Sequence, residues 1–169
     1  MGGRSLLCLV GPTGSGKTAV SIAVAEALVA KGLPCEIVSA DAMQLYRGMD
    51  IGTAKASEDD RRAIPHHLLD VWEPTKEASV QEYQELARAA ITDCFDRGVI
   101  PLLVGGSGLY VSAVIYDFQF PGTNQALRDS LQGRFETEGL KPLVTELLEA
   151  DSDAADAVDL NNPRRVIRA

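Results

Sequence analysis

Residues with the spacing of a phosphate-binding loop stand near the start of the chain: Gly11, Pro12, Thr13, Gly14, Ser15, Gly16, Lys17 and Thr18. Glycines let the backbone curl so that successive N–H groups face one anion, and the start of a following helix adds partial positive charge. The lysine can reach an outer phosphate, and the threonine hydroxyl can offer an oxygen to Mg²⁺. The loop therefore predicts a diphosphate or polyphosphate ligand, without identifying it or showing that one of its bonds is hydrolysed.

An aspartate follows the second predicted strand, where a parallel sheet presents residues to a ligand. Asp41 comes directly after Ser39 and Ala40, and the carboxyl ends of such strands face the ligand crevice. A carboxylate placed there can act as a base on a second substrate. A loop aspartate that caps the next turn would occupy the same position, so both interpretations of Asp41 stay open.

The first function that the loop suggests is that of a nucleotide-driven kinase or NTPase. Such enzymes usually hold Mg²⁺ with an acidic residue at the end of a later apolar strand. The best strand of that kind ends in Val104-Gly105-Gly106 and carries no acid, which leaves Asp70 and Asp41 as candidates. The kinase hypothesis therefore depends on one of these two aspartates as its metal ligand.

Alternating strands and helices must position these groups. Short apolar runs predict strands over residues 6–10, 36–39, 100–104 and, more weakly, 67–71. Helices are predicted over residues 17–31 and between the capping box Ser79/Glu82 and Gly98. The first strand is expected to be fully buried, and the first helix to be buried nearly all round. This alternation predicts an α/β fold, a P-loop NTPase-like parallel sheet flanked by helices.

The pattern changes near residue 121, where strands give way to helical periodicity. Leu127, Leu131 and Phe135 recur at four-residue spacing, and further leucines continue the pattern over 140–148. We therefore divide the chain into a P-loop α/β core over 1–120 and a small all-helical module over 121–169. Asn162-Pro163 opens a last helix that stops after fewer than two turns, so we expect a chain truncated at its C-terminus.

Composition narrows the class of protein and its compartment. The 169 residues carry 16 Lys+Arg against 24 Asp+Glu, which excludes a wholly basic nucleic-acid-binding protein but not a local basic patch. Apolar runs fall short of the roughly 20 residues that span a bilayer, so no membrane is expected. Three cysteines without metal spacing predict a reducing cytosol, and all three are expected to be buried. The adjacent His66 and His67 are expected to point to opposite faces of a strand.

Several stretches together resemble one enzyme family. They occur in the family's order and cover essentially the whole chain: the phosphate loop over 11–18, SADAMQLY over 39–46, GMDIGTAK over 48–55, PHHLLD over 65–70, PLLVGGSGLY over 101–110 and NPRRVIRA over 162–169. The phosphate loop alone is weak evidence, whereas the second, third and fifth stretches are highly specific in combination. On these residues the chain resembles the tRNA dimethylallyltransferase (isopentenyl transferase) family.

The resemblance implies prenyl transfer onto tRNA. The family moves a dimethylallyl group from dimethylallyl diphosphate to the exocyclic N6 amine of the adenosine on the 3′ side of the tRNA anticodon. The phosphate loop would then bind the diphosphate, with Mg²⁺ on Thr18, and Asp41 would be the general base. Ser107 would lie beside the target adenosine as a second catalytic residue. The resemblance and the composition together lead us to expect a cytoplasmic monomer.

The resemblance also implies a set of tRNA contacts. The residues at matching positions are Asp41, Ala42, Met43, Gln44, Lys55, Ser107, Arg128, Arg164, Arg165, Val166, Ile167 and Arg168. Ala42 stands where many members have serine, which removes one possible hydroxyl contact. The helical module would be the family's insertion that closes over the anticodon loop, and the family's diphosphate-binding arginines would lie beyond residue 169.

Other functions stay open at this level. A related prenyltransferase could act on free AMP, ADP or ATP, a P-loop small-molecule kinase could share the phosphate loop, and a fragment could bind ligands without catalysis. The arginines could equally be solvated charges on a helix surface, and Ser107 could be the N-cap of a helix. The helical module favours tRNA, because an enzyme for free nucleotides needs no such insertion.

Overall fold

The computed structural model describes residues 5–120 and 124–169 of the chain. The chain divides into two compact units, 1–119 and 120–169. Pro121, where we predict the helical module to begin, lies outside the described residues, so the division into 1–120 and 121–169 stays a prediction. The larger unit holds the phosphate loop and the sheet, and the described part of the smaller unit forms helices.

Four parallel strands form one sheet in the larger unit. They are β1 (Leu7–Val10), β2 (Cys35–Ser39), β3 (His66–His67) and β4 (Ile100–Gly105), in the order β1-β4-β2-β3. The register sets Val10 opposite Gly105 and Ser39 opposite Val104. The phosphate loop and Asp41 therefore leave the sheet at the same edge, and the predicted α/β fold is confirmed.

Strand β3 is shorter than the sequence predicts. It covers two residues instead of 67–71, because Leu68 and Asp70 have φ angles of 63° and 57°. A backbone in the left-handed region cannot continue an extended strand. The prediction is therefore wrong beyond His67.

Helices flank this sheet: α1 (Lys17–Val29), α2 (Glu58–Ala63), α3 (Val80–Asp96) and α4 (Gly108–Ile115). The predicted cap of α3 forms, since the Ser79 hydroxyl accepts the N–H of Glu82. The Glu82 carboxylate pairs with Lys76, so the reciprocal half of the predicted capping box is missing. A complete box, which we did not predict, opens α2 between Ser57 and Asp60.

Alternate side chains of the strands build a core on each face of the sheet. On one face, Val38 and Leu103 pack with residues of α3 and α4. On the other face, Ile37 and Leu102 pack with Ala25 of α1. This period of two follows from the pleat of the strands, and helices cover both faces as a parallel sheet requires.

The first strand and first helix are more exposed than the sequence predicts. Val10 is 52% exposed, and Cys8, which we expected to be buried, is exposed as well. Helix α1, all of which is described, buries Ser21 and Ala25. The cause is position, because β1 is an edge strand that pairs with β4 alone among the described residues, and α1 packs one face on the sheet.

The described part of the smaller unit contains α5 (Gln125–Glu138), α6 (Leu140–Ala150), α7 (Ala154–Ala157) and α8 (Pro163–Arg168). Leu143 and Val166 are buried, and α5, α6 and α8 pack against one another. Asn162 caps α8 by accepting the N–H of Arg164, with Pro163 at the first helical position, as predicted. Within residues 5–120 and 124–169, no helix combines the length and apolar character that crossing a bilayer requires.

Candidate functional site

The phosphate loop leaves β1 and turns sharply into α1. Gly14 and Gly16 have φ angles of 79° and 81°, in the left-handed region that glycine adopts without strain. Gly16 is the N-cap of α1, so the first N–H groups of the helix open toward the loop. The Lys17 Nζ donates to the carbonyl of Pro12 at 2.7 Å and so lies back against the loop. Together these groups form a cradle suited to an anion.

Strands β2 and β4 approach closely at the same edge, and glycine is what permits it. A Cβ on Gly105 would lie 2.2 Å from the carbonyl oxygen of Ala40. A larger residue there would force the two strands apart, because the obstacle is backbone. A Cβ on Gly106 would lie 2.9 Å from the carbonyl oxygen of Gly11. These glycines therefore let the phosphate loop and the end of β2 come together.

Asp41 lies directly beyond β2. Its Oδ1 accepts the N–H of Met43 at 2.9 Å, which is the turn-capping contact that the sequence left open. Its Oδ2 has no hydrogen-bond partner within residues 5–120 and 124–169. The core holds the end of β2 in place, because the buried Tyr83 hydroxyl donates to the carbonyl of Ser39 at 3.1 Å. Asp41 is thus a positioned carboxylate with one oxygen that the described residues leave available.

A cavity of about 350 Å³ opens at this edge of the sheet. Its lining includes Lys17, Thr18, Asp41, Gln44 and His66. Burial holds the pKa of His66 below its usual value, so the imidazole is neutral at pH 7. The cavity therefore combines the cation, hydroxyl and N–H groups that suit a diphosphate with a carboxylate that can accept a proton.

The segment between β2 and α2 contributes to the same lining. Gln44 Oε1 accepts from the Ser39 hydroxyl at 3.1 Å, and Gln44 Nε2 donates to the carbonyl of Thr53 at 3.0 Å. The Thr18 hydroxyl donates to the carbonyl of Ala54 at 3.2 Å. The predicted tRNA contact Gln44 therefore has both ends of its amide engaged within the protein. The predicted Mg²⁺ ligand Thr18 is tied to this segment.

Lys55, another predicted tRNA contact, has a side chain that is 1% exposed. Its Nζ donates to the carbonyl of Tyr46 and to the carboxylates of Asp50 and Asp70, each at 2.7 Å. All three donors of the ammonium are therefore engaged within the protein. Asp70, a metal-ligand candidate under the kinase hypothesis, gives its second carboxylate oxygen to Arg61 at 2.7 Å.

Trp72 fastens the segment to the core. Its backbone N–H donates to the carbonyl of Leu45, and its carbonyl accepts the N–H of Arg47, both at 2.9 Å. The residue is 3% exposed, and the Lys76 Nζ stands 5.2 Å from the centre of the indole ring. The segment that follows Asp41 is therefore held by backbone bonds as well as by ion pairs.

Comparison with known proteins connects this geometry to a family. A family model described as IPP transferase matches residues 44–169, and one described as Isopentenyl transferase matches residues 4–74. The chain belongs to the IPP transferase family. Its relatives include the tRNA dimethylallyltransferases of Bifidobacterium animalis subsp. lactis and Salinispora arenicola, each 53% identical over 167 and 165 residues respectively. The matches cover 99% and 98% of this chain but 48% and 47% of those proteins, so the chain spans about half the length of the curated relatives it matches.

Solved structures share the fold of this IPP transferase chain. The tRNA isopentenylpyrophosphate transferase from Bacillus halodurans is 42% identical with a TM-score of 0.65, over 98% of this chain and 54% of that chain. A eukaryotic dimethylallyltransferase acting on tRNA is 26% identical with a TM-score of 0.80, over 98% of this chain and 40% of that chain. The family resemblance that the motifs predict is thereby confirmed.

Three further candidates from the IPP transferase motifs lie in the larger unit. Ser107 is the N-cap of α4, but its hydroxyl makes no capping hydrogen bond. Ala42 is partly exposed, and Met43 is 45% exposed in the turn that Asp41 caps. Their predicted contacts with tRNA, and the catalytic role of Ser107, stay predictions.

The other candidate tRNA contacts lie in the smaller unit. Arg128 is exposed on α5, and α8 carries Arg164, Arg165, Val166, Ile167 and Arg168. The three arginines of α8 are exposed, whereas Val166 is 5% exposed and belongs to the core of its unit. The exposed arginines are the members of this set that can meet a phosphate.

A second group of chemistry-bearing side chains lies at the opposite end of the sheet. Glu36 near the start of β2, His67 of β3 and Cys94 of α3 place their ligand atoms within 4.8 Å of one another, a donor set that suits Zn²⁺. Arg97, however, donates to both Glu36 oxygens at 2.7 and 2.6 Å. His67 Nε2 lies 2.7 Å from the same carboxylate. The four residues therefore form a closed network, which we call the Glu36 cluster.

Two members of the Glu36 cluster have pKa values that lie far from neutral pH. Hydrogen bonds from Arg97 and His67 outweigh burial and lower the pKa of Glu36 to about 2, and burial raises the pKa of the Cys94 thiol to about 11. The sequence did not reveal the cluster, because its members come from separate elements and no local spacing marks them. His66 lines the cavity and His67 joins this cluster, as expected for adjacent residues that point to opposite faces of a strand.

Proposed function

We propose that this chain carries the diphosphate-binding loop and the general base of a tRNA dimethylallyltransferase. The observation that carries the proposal is one cavity lined by Lys17, Thr18 and Asp41, whose carboxylate keeps an oxygen that the described residues leave available. Matched relatives are named tRNA dimethylallyltransferase, and that activity is extended to this chain as part of the proposal.

The proposed reaction forms one C–N bond and breaks one C–O bond. The N6 amine of an adenosine attacks the first carbon of the dimethylallyl group, and the diphosphate leaves with the electron pair of the C–O bond. Asp41 accepts the proton that the amine loses, through the oxygen that Met43 does not occupy. An aryl amine is a poor nucleophile because its lone pair is delocalised, and a positioned base contributes about 10²–10⁴-fold to such a step.

The phosphate loop supports departure of the diphosphate. The N–H groups at the start of α1 are oriented before the reaction, so they stabilise negative charge as it develops on the leaving group. Lys17 reaches an outer phosphate by exchanging its hydrogen bond to the Pro12 carbonyl for one to the ligand. The ammonium charge then stays beside the diphosphate during the transfer.

The donors that line the cavity fit Mg²⁺. Thr18 and Ser39 offer hydroxyl oxygens at the cavity, and oxygen atoms are the hard ligands that this ion prefers. Thr18 would hold the ion, which when bound neutralises negative charge on the diphosphate.

The smaller unit supplies contacts with the RNA backbone in this proposal. Arg128, Arg164, Arg165 and Arg168 are exposed, and exposed arginines suit contacts with backbone phosphates. The target adenosine must leave its stack in the anticodon loop before its amine can meet Asp41. We assign Ser107, at the start of α4, as the second group that meets this adenosine.

The alternative functions have less support. A P-loop kinase needs an acidic Mg²⁺ ligand after a later strand, but β4 ends at Gly105, and Asp70 is paired with Lys55 and Arg61. The other candidate, Asp41, follows β2, and this proposal assigns it as the general base. A prenyltransferase for free adenine nucleotides needs no helical unit for RNA. We also propose a cytoplasmic enzyme, because the three cysteines are free thiols, as a reducing cytosol keeps them. The monomeric state stays a prediction.

An acceptor assay tests the proposal. The whole protein is incubated with Mg²⁺, labelled dimethylallyl diphosphate and unmodified tRNA, with AMP and ATP as parallel acceptors. Label on tRNA alone is the expected result. Label on a free nucleotide would assign the protein to the adenylate class, and consumption of ATP without transfer of label would identify a kinase.

A further inference from the structure

The carbonyl of Ala54 occupies an unusual position beside the phosphate loop. Ala54 has a φ angle of 51°, in the left-handed region that residues other than glycine rarely adopt. In this conformation its oxygen accepts the Thr18 hydroxyl at 3.2 Å, and Gln44 Nε2 lies 3.4 Å from the same oxygen. A backbone of this kind persists only where its surroundings fix it.

The next residue, Lys55, fixes the peptide that carries this carbonyl. Its buried ammonium joins the Tyr46 carbonyl to the carboxylates of Asp50 and Asp70. Moving the ammonium would deprive the partly buried carboxylate of Asp70 of one of its two cationic partners, which is costly. Lys55 therefore acts as an anchor within the fold.

Asp70 extends the anchor to the residue after Lys55. Its Oδ2 accepts from Arg61 at 2.7 Å, and Arg61 Nε donates to the carbonyl of Ala56 at 3.0 Å. Burial acts to raise the pKa of Asp70, but the hydrogen bonds and charges of Lys55 and Arg61 outweigh it and hold that pKa below its usual value. Residues 55 and 56 are thus tied to one ionised carboxylate, which limits the movement of Ala54.

A threonine hydroxyl has one hydrogen and two lone pairs, so the acceptor of its hydrogen decides where the lone pairs point. We propose that Lys55 is a positioning residue: by holding the Ala54 carbonyl, it directs a lone pair of Thr18 toward the Mg²⁺ that accompanies the diphosphate. This inference rests on the proposed function of the phosphate loop. Kinases and NTPases usually hold Mg²⁺ with an acidic residue at the end of a later strand. Here β4 ends at Gly105, and in this proposal the anchored carbonyl of Ala54 orients the Thr18 hydroxyl.

A double-mutant cycle on Mg²⁺-dependent pyrophosphate binding tests this role. Calorimetry measures binding of inorganic pyrophosphate over a range of Mg²⁺ concentrations for the wild type, Lys55→Met, Thr18→Val and the double variant. Lys55→Met is expected to raise the Mg²⁺ concentration for half-maximal binding about tenfold. In the Thr18→Val background the same substitution is expected to change nothing further, because the hydroxyl through which Lys55 acts is gone.

Two results would overturn this role. One is a Lys55→Met variant with the Mg²⁺ dependence of the wild type. The other is full additivity in the double variant, which would mean that Lys55 supports the fold and not the hydroxyl of Thr18. Lys76→Met is the matched control, because it also removes an ion-paired lysine, the partner of Glu82, and it is expected to keep wild-type Mg²⁺ dependence.

A stability measurement keeps the cycle interpretable, because Lys55→Met deprives Asp70 of a partner. Circular dichroism and urea titration accompany each variant. If Lys55→Met does not fold, Arg61→Gln replaces it in the cycle, with an expected shift of about threefold because Arg61 is 32% exposed. No shift in that variant would overturn the proposal in the same way.

The pyrophosphate assay also separates this inference from the proposed function, because it needs no acceptor. A protein that binds pyrophosphate with Mg²⁺ but does not prenylate tRNA would refute the proposed function. The double-mutant cycle would still measure the role of Lys55, because it depends on pyrophosphate binding alone. A wild-type protein whose pyrophosphate binding does not depend on Mg²⁺ would overturn the role of Lys55 itself.

Discussion

The two ends of strand β2 each present a carboxylate, and the two carboxylates differ in what they can do. Glu36, near the start of the strand, has its oxygens engaged by Arg97 and His67. Asp41, just beyond the end, gives one oxygen to a backbone N–H and has no partner for the other among residues 5–120 and 124–169. The difference teaches that the partners of a carboxylate decide whether it belongs to the framework or stays available to a substrate.

Side-chain size explains why the two ends differ. Near Asp41, Gly105 and Gly106 bring backbones together without adding side chains, and a cavity of about 350 Å³ stays open. Near Glu36, the side chains of Arg97 and His67 engage the carboxylate oxygens with hydrogen bonds, although a cavity of about 370 Å³ also borders Glu36. Small residues therefore leave one carboxylate available, and long polar residues occupy the oxygens of the other.

The largest expected effect comes from replacing each carboxylate by its amide. Asp41→Asn is expected to lower prenyl transfer about 10²–10⁴-fold, because an amide cannot accept the proton, while pyrophosphate affinity is kept. Glu36→Gln is the matched control at the other end and is expected to keep near wild-type kcat. Single-turnover transfer of label to tRNA measures both variants. Equal losses would abolish the distinction between the two ends.

The next effect concerns the cation in the cavity. Lys17→Met is expected to weaken pyrophosphate binding about 10–100-fold, because it removes a charged hydrogen-bond donor worth about 1.5–3 kcal/mol. Lys31→Met, at an exposed lysine beyond α1, is the control for loss of charge and is expected to bind like the wild type. Calorimetric titration with pyrophosphate measures the affinity of both variants. Equal affinities would show that Lys17 does not bind the diphosphate.

The two carboxylate substitutions are expected to rank in the opposite order when the free energy of unfolding is measured instead of activity. Glu36→Gln is expected to lower the free energy of unfolding at pH 7 by about 1–3 kcal/mol, because it breaks hydrogen bonds between charged groups. Asp41→Asn is expected to change it by less than about 0.5 kcal/mol. Urea denaturation gives both values. A larger loss in Asp41→Asn than in Glu36→Gln would contradict the division into framework and site.

Acid should erase the stability difference between the wild type and Glu36→Gln. The pKa of Glu36 is lowered in the folded protein to about 2 from an ordinary value of 4.5. The contribution of the ionised carboxylate is therefore complete above about pH 4.5 and is lost as the pH falls toward 2. Urea midpoints of both proteins at pH 7, 4 and 3 test this, and a gap that stays constant to pH 3 would contradict the lowered pKa.

The smallest effect is a difference in thiol reactivity. Cys94 is buried in the Glu36 cluster with a pKa raised to about 11, whereas Cys8 is exposed on β1. Iodoacetamide at pH 8 is therefore expected to modify Cys8 well before Cys94. Peptide mass spectrometry over time follows both sites. Equal rates would show that the Glu36 cluster opens readily.

Local patterns in the sequence predicted the elements that depend on local contacts. The start of α1 at Lys17, the Ser79 cap of α3 and the Asn162-Pro163 start of α8 all follow from residues a few positions apart. The length of β3 does not, because the left-handed conformation of Asp70 accompanies ion pairs to distant residues. The residue pattern over 67–71 does not indicate which distant residues will form ion pairs with Asp70.

Burial and side-chain direction were the weaker predictions. An apolar run such as residues 6–10 has the same pattern in a central strand and in an edge strand, so the exposure of β1 follows only from the strand order. The family resemblance connects Lys55 with RNA, yet the fold supplies three oxygen atoms that engage its ammonium. Sequence identifies the residues of the candidate site, and tertiary contacts decide which of their atoms stay free.

Trp72 is the one tryptophan of the 169-residue chain, and its backbone is bonded to Leu45 and Arg47. Its fluorescence therefore reports on a single place, the segment that runs from Asp41 to Lys55. A buried indole emits at shorter wavelength than a hydrated one, so loosening of this segment would shift the emission to the red. The chain thus contains its own optical reporter, and titrations with pyrophosphate and Mg²⁺ can be followed in solution without any added dye.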